Sequence, residues 1–375
     1  AISLAAPRAT AQVEITIEGY SGVPLRLRAL TGDSGPPATS VLERDLGRSG
    51  CFSPGSGKTA WLVAGSSTSG RIEGILSSPA GQEILRRSYR ESNPARNAHR
   101  FADDIVEAIT GKPGISSSQI VFVSNKTGSK ELYHCDYDGG NLRMLTRDGS
   151  LSVSPAIDPA AKRVAYTSYR SGYPDVYLIE LSSGRRSRII NAPGTNSGSA
   201  FSPDGSRIAL SMSFSGNPEI YVTNTRGSGA RRLTRSRGVA ASPCWTPDGS
   251  RVVYVSDETG GPQLYEISAS GGSPRRISAG YGYCTSPSVS PDGSKLAFNA
   301  RIGGSMAVVL RDMRGGKSTV LTSGASAENP RWGADSRHLL YTKNGNLYLH
   351  NIESGAVHTV VSGMGRISEP SWSLE

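Results

Sequence analysis

Short apolar runs separated by turn residues fill the last two thirds of the chain. The segment FSPDGSRIAL (201–210) recurs as TPDGSRVVYV (246–255) and again as SPDGSKLAFN (290–299). In each copy Pro presets φ at one turn position, while Asp and Gly tolerate the positions that follow. An alternating apolar strand comes next. The pattern therefore predicts that the same type of hairpin recurs along the chain at an even spacing.

The strand after each turn opens at positions spaced by 44, 44, 44, 44 and 43 residues. These opening residues are Gln119, Arg163, Arg207, Arg251, Lys295 and His338. A following strand places an aromatic after an apolar residue, as at Tyr133 and Tyr177, and a third strand often ends in Leu-Thr. A shorter strand precedes the turn. Four short strands at a period near 44 are typical of a β-propeller blade.

The order of the strands predicts how the ring closes. The first strand of the series begins at Gln119, but the first short strand before a turn lies near Ile157 and the last one near Trp372. The final strand, Glu369 to Ser373, must then complete the blade opened by residues 119–146. The sequence predicts a six-bladed β-propeller over residues 113–375 with no free sheet edge.

The preceding residues, 12–112, have a different spacing of apolar and polar positions, which predicts a small N-terminal α/β domain. Strands are expected at 13–19, 24–30, 61–78 and 82–90, and helices at 39–50, closing at Gly47, and at 94–111. Pro94 near the start and Gly111 at the end frame the second helix. His99 on this helix is expected to pack or cap rather than to catalyse.

The first eleven residues look like the remnant of a signal peptide. An apolar fragment is followed by Ala9-Thr10-Ala11, an A-x-A cleavage pattern, and then by Gln12. We expect export with cleavage; a short flexible Ala-rich tail is the alternative. No apolar run reaches the eighteen or so residues that a membrane span needs.

Composition and motifs argue against several functions. The net charge of +10 is scattered, with no basic run longer than two, so nucleic-acid binding is not expected. SGKT (56–59) lacks the glycine that a phosphate-binding loop needs, because Phe52 stands in its place. The five His have no metal-ligand spacing, and no nucleophile motif occurs. We expect no catalytic residue, metal or cofactor.

A Ca²⁺-dependent propeller hydrolase would place carboxylates and amides at the channel end of its innermost strands, just before the Pro or its equivalent. These positions are Ser154, Gly198, Ser242, Ser286, Asn329 and Glu369. One carboxylate in six makes a poor metal cage. Of the four Cys, Cys244 and Cys284 are expected in neighbouring blades near the axis, as the only pair that could lie close enough to bridge. Free thiols are the default expectation.

The junction of the two predicted domains resembles a known family. HRFADDIVEAITGKPG (99–114), IVFVSNKTGSKELYHCDYDGGNLRMLT (120–146) and the three turn-strand repeats are similar to the TolB family of periplasmic propeller proteins of the Tol–Pal system. The resemblance runs in order from Gln12 to Ser373. It implies a non-enzymatic scaffold that binds Pal, a peptidoglycan-associated lipoprotein, through the propeller mouth and TolA through its N-terminal segment. It also implies a role in outer-membrane integrity and in constriction during cell division.

The resemblance assigns two candidate sites. The TolA-binding segment would be Gln12, Val13, Glu14, Ile15, Thr16 and Ile17. The Pal-facing mouth would fall on loops before the innermost strands, at Thr195, Asn196, Ser242, Tyr281, Tyr283, Ser286, Glu328 and Glu369. This chain departs from the family by carrying mostly Ser and Tyr there. A periplasmic monomer that reaches the outer membrane only through Pal is expected.

Two other functions stay open from the sequence. A propeller hydrolase or lactonase would need a channel metal with several protein oxygens, and a propeller that binds cell-wall glycan would draw weak support from the basic charge. The segment 12–17 has an apolar and a polar face. It could add a strand to another protein, or it could be a plain edge strand of its own domain.

Overall fold

The computed structural model describes residues 22–54, 59–91, 93–322, 324 and 326–374. The strand expected at 13–19, the signal-peptide remnant and residues 55–58 of the SGKT region lie outside this range. The chain divides into two compact units between Lys112 and Pro113. Within the described residues, no helix combines the length and the apolar character needed to cross a membrane.

The first unit is a five-stranded mixed sheet with two helices. Its elements are β1 (Val23–Leu27), α1 (Gly35–Ser49), β2 (Phe52–Pro54), β3 (Trp61–Thr68), β4 (Arg71–Ser77), β5 (Glu83–Tyr89) and α2 (Pro94–Thr110). The strand order is β2-β1-β3-β4-β5, with β1 parallel to both of its neighbours. The predicted helices and the strands at 24–30 and 82–90 are present, the range 61–78 holds the two antiparallel strands β3 and β4, and the short strand β2 was not predicted.

The ends of the two helices follow from local chemistry. The Asn93 side chain accepts a hydrogen bond from the Ala95 N–H (3.0 Å) and caps α2, which ends at Gly111 in the left-handed region. The expected stop of α1 at Gly47 is wrong. This helix continues to Ser49 and ends at Gly50, whose φ of 67° supplies the left-handed cap instead.

His99 joins the two helices inside the core of the first unit. Its Nδ1 lies 2.6 Å from an Asp45 Oδ2 atom, and both side chains are buried. A buried carboxylate needs such a partner. The packing role expected for His99 is therefore what the structure shows.

The second unit is the six-bladed propeller. In chain order its strands are β6 (Gln119–Ser124), β7 (Glu131–Asp136), β8 (Arg143–Met144), β9 (Ser152–Ile157), β10 (Arg163–Ser168), β11 (Asp175–Glu180), β12 (Arg186–Ile190), β13 (Asn196–Phe201), β14 (Arg207–Met212), β15 (Glu219–Asn224), β16 (Arg231–Arg232), β17 (Ala240–Trp245), β18 (Arg251–Ser256), β19 (Gln263–Ser268), β20 (Arg275–Arg276), β21 (Cys284–Val289), β22 (Lys295–Ile302), β23 (Ser305–Asp312), β24 (Ser318–Val320), β25 (Ala327–Trp332), β26 (His338–Lys343), β27 (Asn346–Asn351), β28 (Val357–Val361) and β29 (Ile367–Trp372). All six predicted opening residues begin their strands.

Each blade is an antiparallel four-stranded sheet. From the axis outward, blade 1 is β29-β6-β7-β8, and blades 2 to 6 are β9–β12, β13–β16, β17–β20, β21–β24 and β25–β28. Strand β29 pairs with β6, the first strand of the propeller, with Ile367 opposite Ser124 and Trp372 opposite Ile120. The closure predicted from the strand order is confirmed, with the closing strand beginning two residues earlier than expected.

The recurring aromatic positions form cross-strand pairs in the middle of the blades. Ring centroids lie 5.8 Å apart for Phe122 and Tyr133 and 5.9 Å apart for Tyr254 and Tyr265. The same pairing recurs between Tyr341 and Tyr348 at 5.9 Å. Such pairs stabilise a sheet beyond the area they bury, which explains why the period is visible in the sequence.

Candidate functional site

A central cavity of about 750 Å³ runs along the axis of the propeller, walled by the innermost strands. We call the end where these strands begin the mouth; there the cavity wall includes Asn125, Lys130 and Arg366. At the opposite end, which we call the hairpin end, the wall is made by Pro159, Pro203, Pro247 and Pro291 of the repeated turns.

A ring of left-handed residues lies midway along this cavity. The six positions expected to be equivalent all have positive φ: Ser154 (50°), Gly198 (67°), Ser242 (51°), Ser286 (53°), Asn329 (57°) and Glu369 (51°). The strand register slips at each of these places, as between Ala241 and Cys244. Each innermost strand therefore carries a β-bulge, which is a device that re-aims side chains. We call these six residues the bulge ring.

Side chains of the bulge ring are linked between neighbouring blades. The Glu369 carboxylate accepts hydrogen bonds from the N–H (2.6 Å) and the hydroxyl (3.3 Å) of Ser154. The Ser286 hydroxyl donates to Asn329 Oδ1 (3.2 Å), and the Asn329 N–H donates to Asn299 Oδ1 (2.8 Å). Backbone and side chain are thus fixed together, so the inner wall of the cavity is preorganised.

Arg331 and Cys244 add an unusual pair of groups to the wall. Burial lowers the pKa of Arg331, against the opposing effects of Cys244 and Glu369. Burial also raises the pKa of the Cys244 thiol to about 12, against the effect of the Arg331 cation. The thiol is therefore protonated at neutral pH, and this Cys is not an activated nucleophile.

The eight residues expected at the Pal-facing mouth separate into two groups. Four of them line the cavity: Ser242, Ser286, Glu328 and Glu369. The other four are not among its lining residues: Thr195, Asn196, Tyr281 and Tyr283. These four lie where the innermost strands of blades 3 and 5 begin, on the rim of the mouth. The segment Gln12 to Ile17 lies outside the described residues.

The four rim residues have different environments. Thr195 is exposed, whereas Asn196 is fully buried and donates to the Ala192 carbonyl oxygen (2.7 Å). The half-buried Tyr281 ring lies 5.9 Å from the Phe298 ring, and the guanidinium carbon of Arg301 lies 4.2 Å from the centre of the Tyr283 ring. Thr195 and Tyr283 can contact a partner directly, while Asn196 holds the loop.

Buried polar networks hold the mouth loops in place. In blade 1 the Glu131 carboxylate accepts hydrogen bonds from the N–H groups of Asp148 (2.8 Å) and Gly149 (2.9 Å). In blade 3 Glu219, which is fully buried, accepts from the Ser236 N–H (2.8 Å). The Leu-Thr positions of the sequence supply Thr146 and Thr234, whose hydroxyls donate to these carboxylates.

Sequence reasoning missed the cations of the cavity. Lys130, Arg331 and Arg366 all line it, together with the two carboxylates that were named. Arg331 could have been found from the repeat, because it lies two residues after Asn329 of the bulge ring, just as Cys244 lies two residues after Ser242. Lys130 and Arg366 lie on turns outside the repeated strands, and no periodic signal marks them.

The described residues contain no group of three or more His, Cys, Asp or Glu arranged to hold a metal ion. All four Cys are free thiols. Cys244 and Cys284 do contribute to one apolar cluster, but they occupy different levels of neighbouring innermost strands. Cys284 is the first residue of β21, whereas Cys244 lies near the end of β17. The two residues therefore lie at different heights along the propeller axis, which agrees with both thiols being free.

Fold and cavity together define a six-bladed propeller with an open central site lined by both polar and apolar groups. The model of the TolB beta propeller domain matches residues 106–375, and the chain belongs to that family. The crystal structure of TolB from Acinetobacter baumannii superposes with a TM-score of 0.80 at 26% identity, covering 94% of this chain and 97% of that one.

Sequence relatives give the same family. A TolB homologue from Chlorobium chlorochromatii is 46% identical over 81 residues, which are 21% of this chain and 18% of that protein. A Tol-Pal system protein TolB from Geobacter metallireducens is 40% identical over 86 residues, covering 22% and 20% of the two chains. These alignments span about a fifth of the length of the curated relatives.

Proposed function

We propose that this chain is a periplasmic, non-enzymatic scaffold of the Tol–Pal system. It binds a Pal-like peptidoglycan-associated lipoprotein at the propeller mouth and TolA through residues 12–17, and so supports outer-membrane integrity and constriction during division. Its association with the outer membrane is peripheral and passes through Pal.

The observation that carries the proposal is the open cavity, lined by both polar and apolar groups, at the mouth of a propeller of the TolB family. Its wall mixes hydroxyls, an amide, carboxylates and cations, as Ser242, Asn329, Glu369 and Arg331 show. The bulge ring and the buried carboxylates Glu131 and Glu219 hold this surface rigid. A preorganised surface of mixed hydrogen-bonding groups favours protein recognition, because less ordering entropy is lost on binding.

The experiment is a pair of calorimetric titrations with the full chain and with a variant lacking residues 12–17. We expect the full chain to bind the soluble domain of the Pal-like lipoprotein, with one copy per chain, and also the periplasmic domain of TolA. The deletion should abolish TolA binding and leave Pal binding and the melting temperature unchanged, because the segment acts as an added strand on its partner.

Two outcomes would count against parts of the proposal. Unchanged TolA affinity in the deletion variant would show that the segment is not the TolA site. Loss of folding together with binding would identify 12–17 as an edge strand of the first unit. Failure of the full chain to bind either domain would contradict the scaffold function itself.

A further inference from the structure

The rim of the mouth is not the same all the way round. At the mouth, Val239 (42%) and Ile302 (38%) are single exposed apolar side chains on blades 4 and 5, whereas Leu151 (44%), Tyr169 (38%), Tyr173 (74%) and Phe214 (51%) lie on consecutive loops of blades 2 and 3. We call these four residues the aromatic arc. Singly scattered exposed apolar residues need no explanation, but several on adjoining loops indicate an interaction surface.

Backbone hydrogen bonds connect the loops that carry the aromatic arc. The Tyr169 N–H donates to the Leu151 carbonyl oxygen (3.0 Å), and the Asn196 N–H donates to the Pro174 carbonyl oxygen (3.1 Å). Next along the rim, the Ser213 N–H donates to the Thr195 carbonyl oxygen (3.0 Å). Tyr173 and Phe214 therefore flank the Thr195–Asn196 segment, where a partner contact is already expected.

The two most exposed aromatics of the arc, Tyr173 and Phe214, are held by local contacts. The Tyr173 turn is closed by a hydrogen bond from Gly172 N–H to the Tyr169 carbonyl oxygen (2.9 Å), and the Ser171 hydroxyl donates to the buried Asp175 (3.0 Å). The Phe214 ring packs 5.2 Å from the Tyr221 ring. Rigid aromatic side chains bury area on binding at little entropic cost, which is the property of interface hot spots.

A group of cations adjoins the aromatic arc on blade 1. Lys126, Lys130 and Arg366 are exposed, and we call them the basic arc. The Arg366 N–H donates to Asn125 Oδ1 (2.7 Å), beside Lys126, and the Ser152 N–H donates to the Lys130 carbonyl oxygen (2.9 Å), beside Leu151. The two arcs therefore form one continuous stretch of the rim.

We propose that the two arcs form an off-axis docking surface for a folded protein domain that presents apolar side chains beside carboxylates. This inference rests on the proposed function, and it adds the rim of blades 1 to 3 to the surface of the mouth that the Pal-like domain covers. The aromatic arc supplies apolar contacts, which mainly slow dissociation of the complex. The basic arc supplies positive charges, which mainly speed association.

A protein partner fits this rim better than an anionic lipid surface does. Farther round the mouth, Asp257 and Glu258 are exposed beside exposed Arg235 and Arg237, so this part of the rim carries both signs of charge, whereas a flat sheet of phosphates carries one and would repel the carboxylates. A folded domain of limited footprint can cover blades 1 to 3 and leave these carboxylates in solvent.

The test is kinetic and calorimetric binding of the soluble Pal-like domain to the full chain and to two double variants. Tyr173→Ser with Phe214→Ser is expected to raise the Kd by about tenfold or more, chiefly through faster dissociation. Lys126→Glu with Lys130→Glu is expected to slow association by about tenfold at low ionic strength, and the difference should shrink at high ionic strength.

Matched controls lie at the hairpin end. Leu142→Ser removes an exposed apolar side chain, and Arg226→Glu with Arg314→Glu reverses two exposed charges. Neither control should change binding by more than about twofold, since surface substitutions away from an interface have small effects. All variants should melt at the temperature of the unaltered chain.

Each of the other possible results of these binding experiments would contradict one specific claim. Ordinary affinity in the Tyr173→Ser, Phe214→Ser variant would overturn the docking surface while the proposed function stands. Failure of the unaltered chain to bind the Pal-like domain would overturn the proposed function and the partner assignment with it. Binding to vesicles of phosphatidylglycerol and phosphatidylethanolamine that the same substitutions abolish would assign the surface to lipid and overturn the protein partner.

Discussion

At the residue scale, the bulge ring is where this chain departs from ordinary strand geometry. Five of its six members are not glycine, although a left-handed backbone costs a residue with a side chain about 1–3 kcal/mol. The residue with the left-handed backbone lies at the same level in every blade, on the wall of the cavity. Strain at a repeated position on the site surface is consistent with a role in shaping that surface.

Ser242 gives the test of this strain. Ser242→Val should lower the free energy of unfolding by about 1–3 kcal/mol, because a β-branched side chain is disfavoured further at a φ of 51°. Ser242→Gly should leave it unchanged or raise it slightly. Denaturant unfolding measures both.

The control for this substitution is Ala241→Val on the same strand, at a position without positive φ. It should change stability much less than Ser242→Val does. Equal unfolding midpoints for the two valine variants would show that the left-handed backbone carries no strain.

At the element scale, the Leu-Thr positions show how one short motif joins two strands. In blade 3 the Thr234 hydroxyl accepts a hydrogen bond from the Ile220 N–H (2.9 Å) and donates to the buried Glu219. Ser278 does the same in blade 4, accepting from Leu264 and donating to Gln263 Oε1 (2.6 Å). The motif thus satisfies a buried carboxylate or amide where an outer strand turns toward the mouth.

Thr234→Val should therefore destabilise the protein by about 1–3 kcal/mol. Valine keeps the shape of threonine but leaves the Ile220 N–H and one Glu219 oxygen without this partner, and buried unsatisfied groups are costly. Thr319→Val on the exposed edge strand β24 is the matched control. A Thr234→Val variant as stable as the control, in calorimetric melting, would contradict the structural role of the motif.

At the scale of the whole molecule, the period of the sequence was sufficient to predict the propeller. The repeated aromatic and Leu-Thr positions make cross-strand contacts within a blade, so the pattern reports the strands directly. The mouth was predicted less well: Ser242 and Glu369 were found because they belong to the repeat, whereas Lys130, Tyr173 and Phe214 lie on turns that differ between blades. Residues on such loops carry no periodic signal, and only the assembled ring brings them together.

The closing strand β29 gives a test at this scale. A chain ending at Ile367 loses most of that strand, including Trp372, which is 7% exposed and donates from Nε1 to Ser118 Oγ (2.6 Å). We expect a loss of about 3–5 kcal/mol, comparable to a buried Trp truncation, and an exposed edge on β6. Thermal unfolding measures it.

Removal of Glu375 alone is the control, and it should not change the melting temperature. A chain ending at Ile367 that melts with the full chain would contradict the closure as a source of stability.

The closure also determines when the protein can finish folding. Strand β6 is among the first propeller segments to be synthesised, yet its inner partner is the last strand, and the Gln119 N–H bonds a Ser373 hydroxyl 254 residues away (2.8 Å). Until β29 is in place, blade 1 has an open edge on β6 and the other five blades are not closed into a ring. Contacts so distant along the chain slow folding, so the propeller reaches its final shape only when β29 has paired with β6.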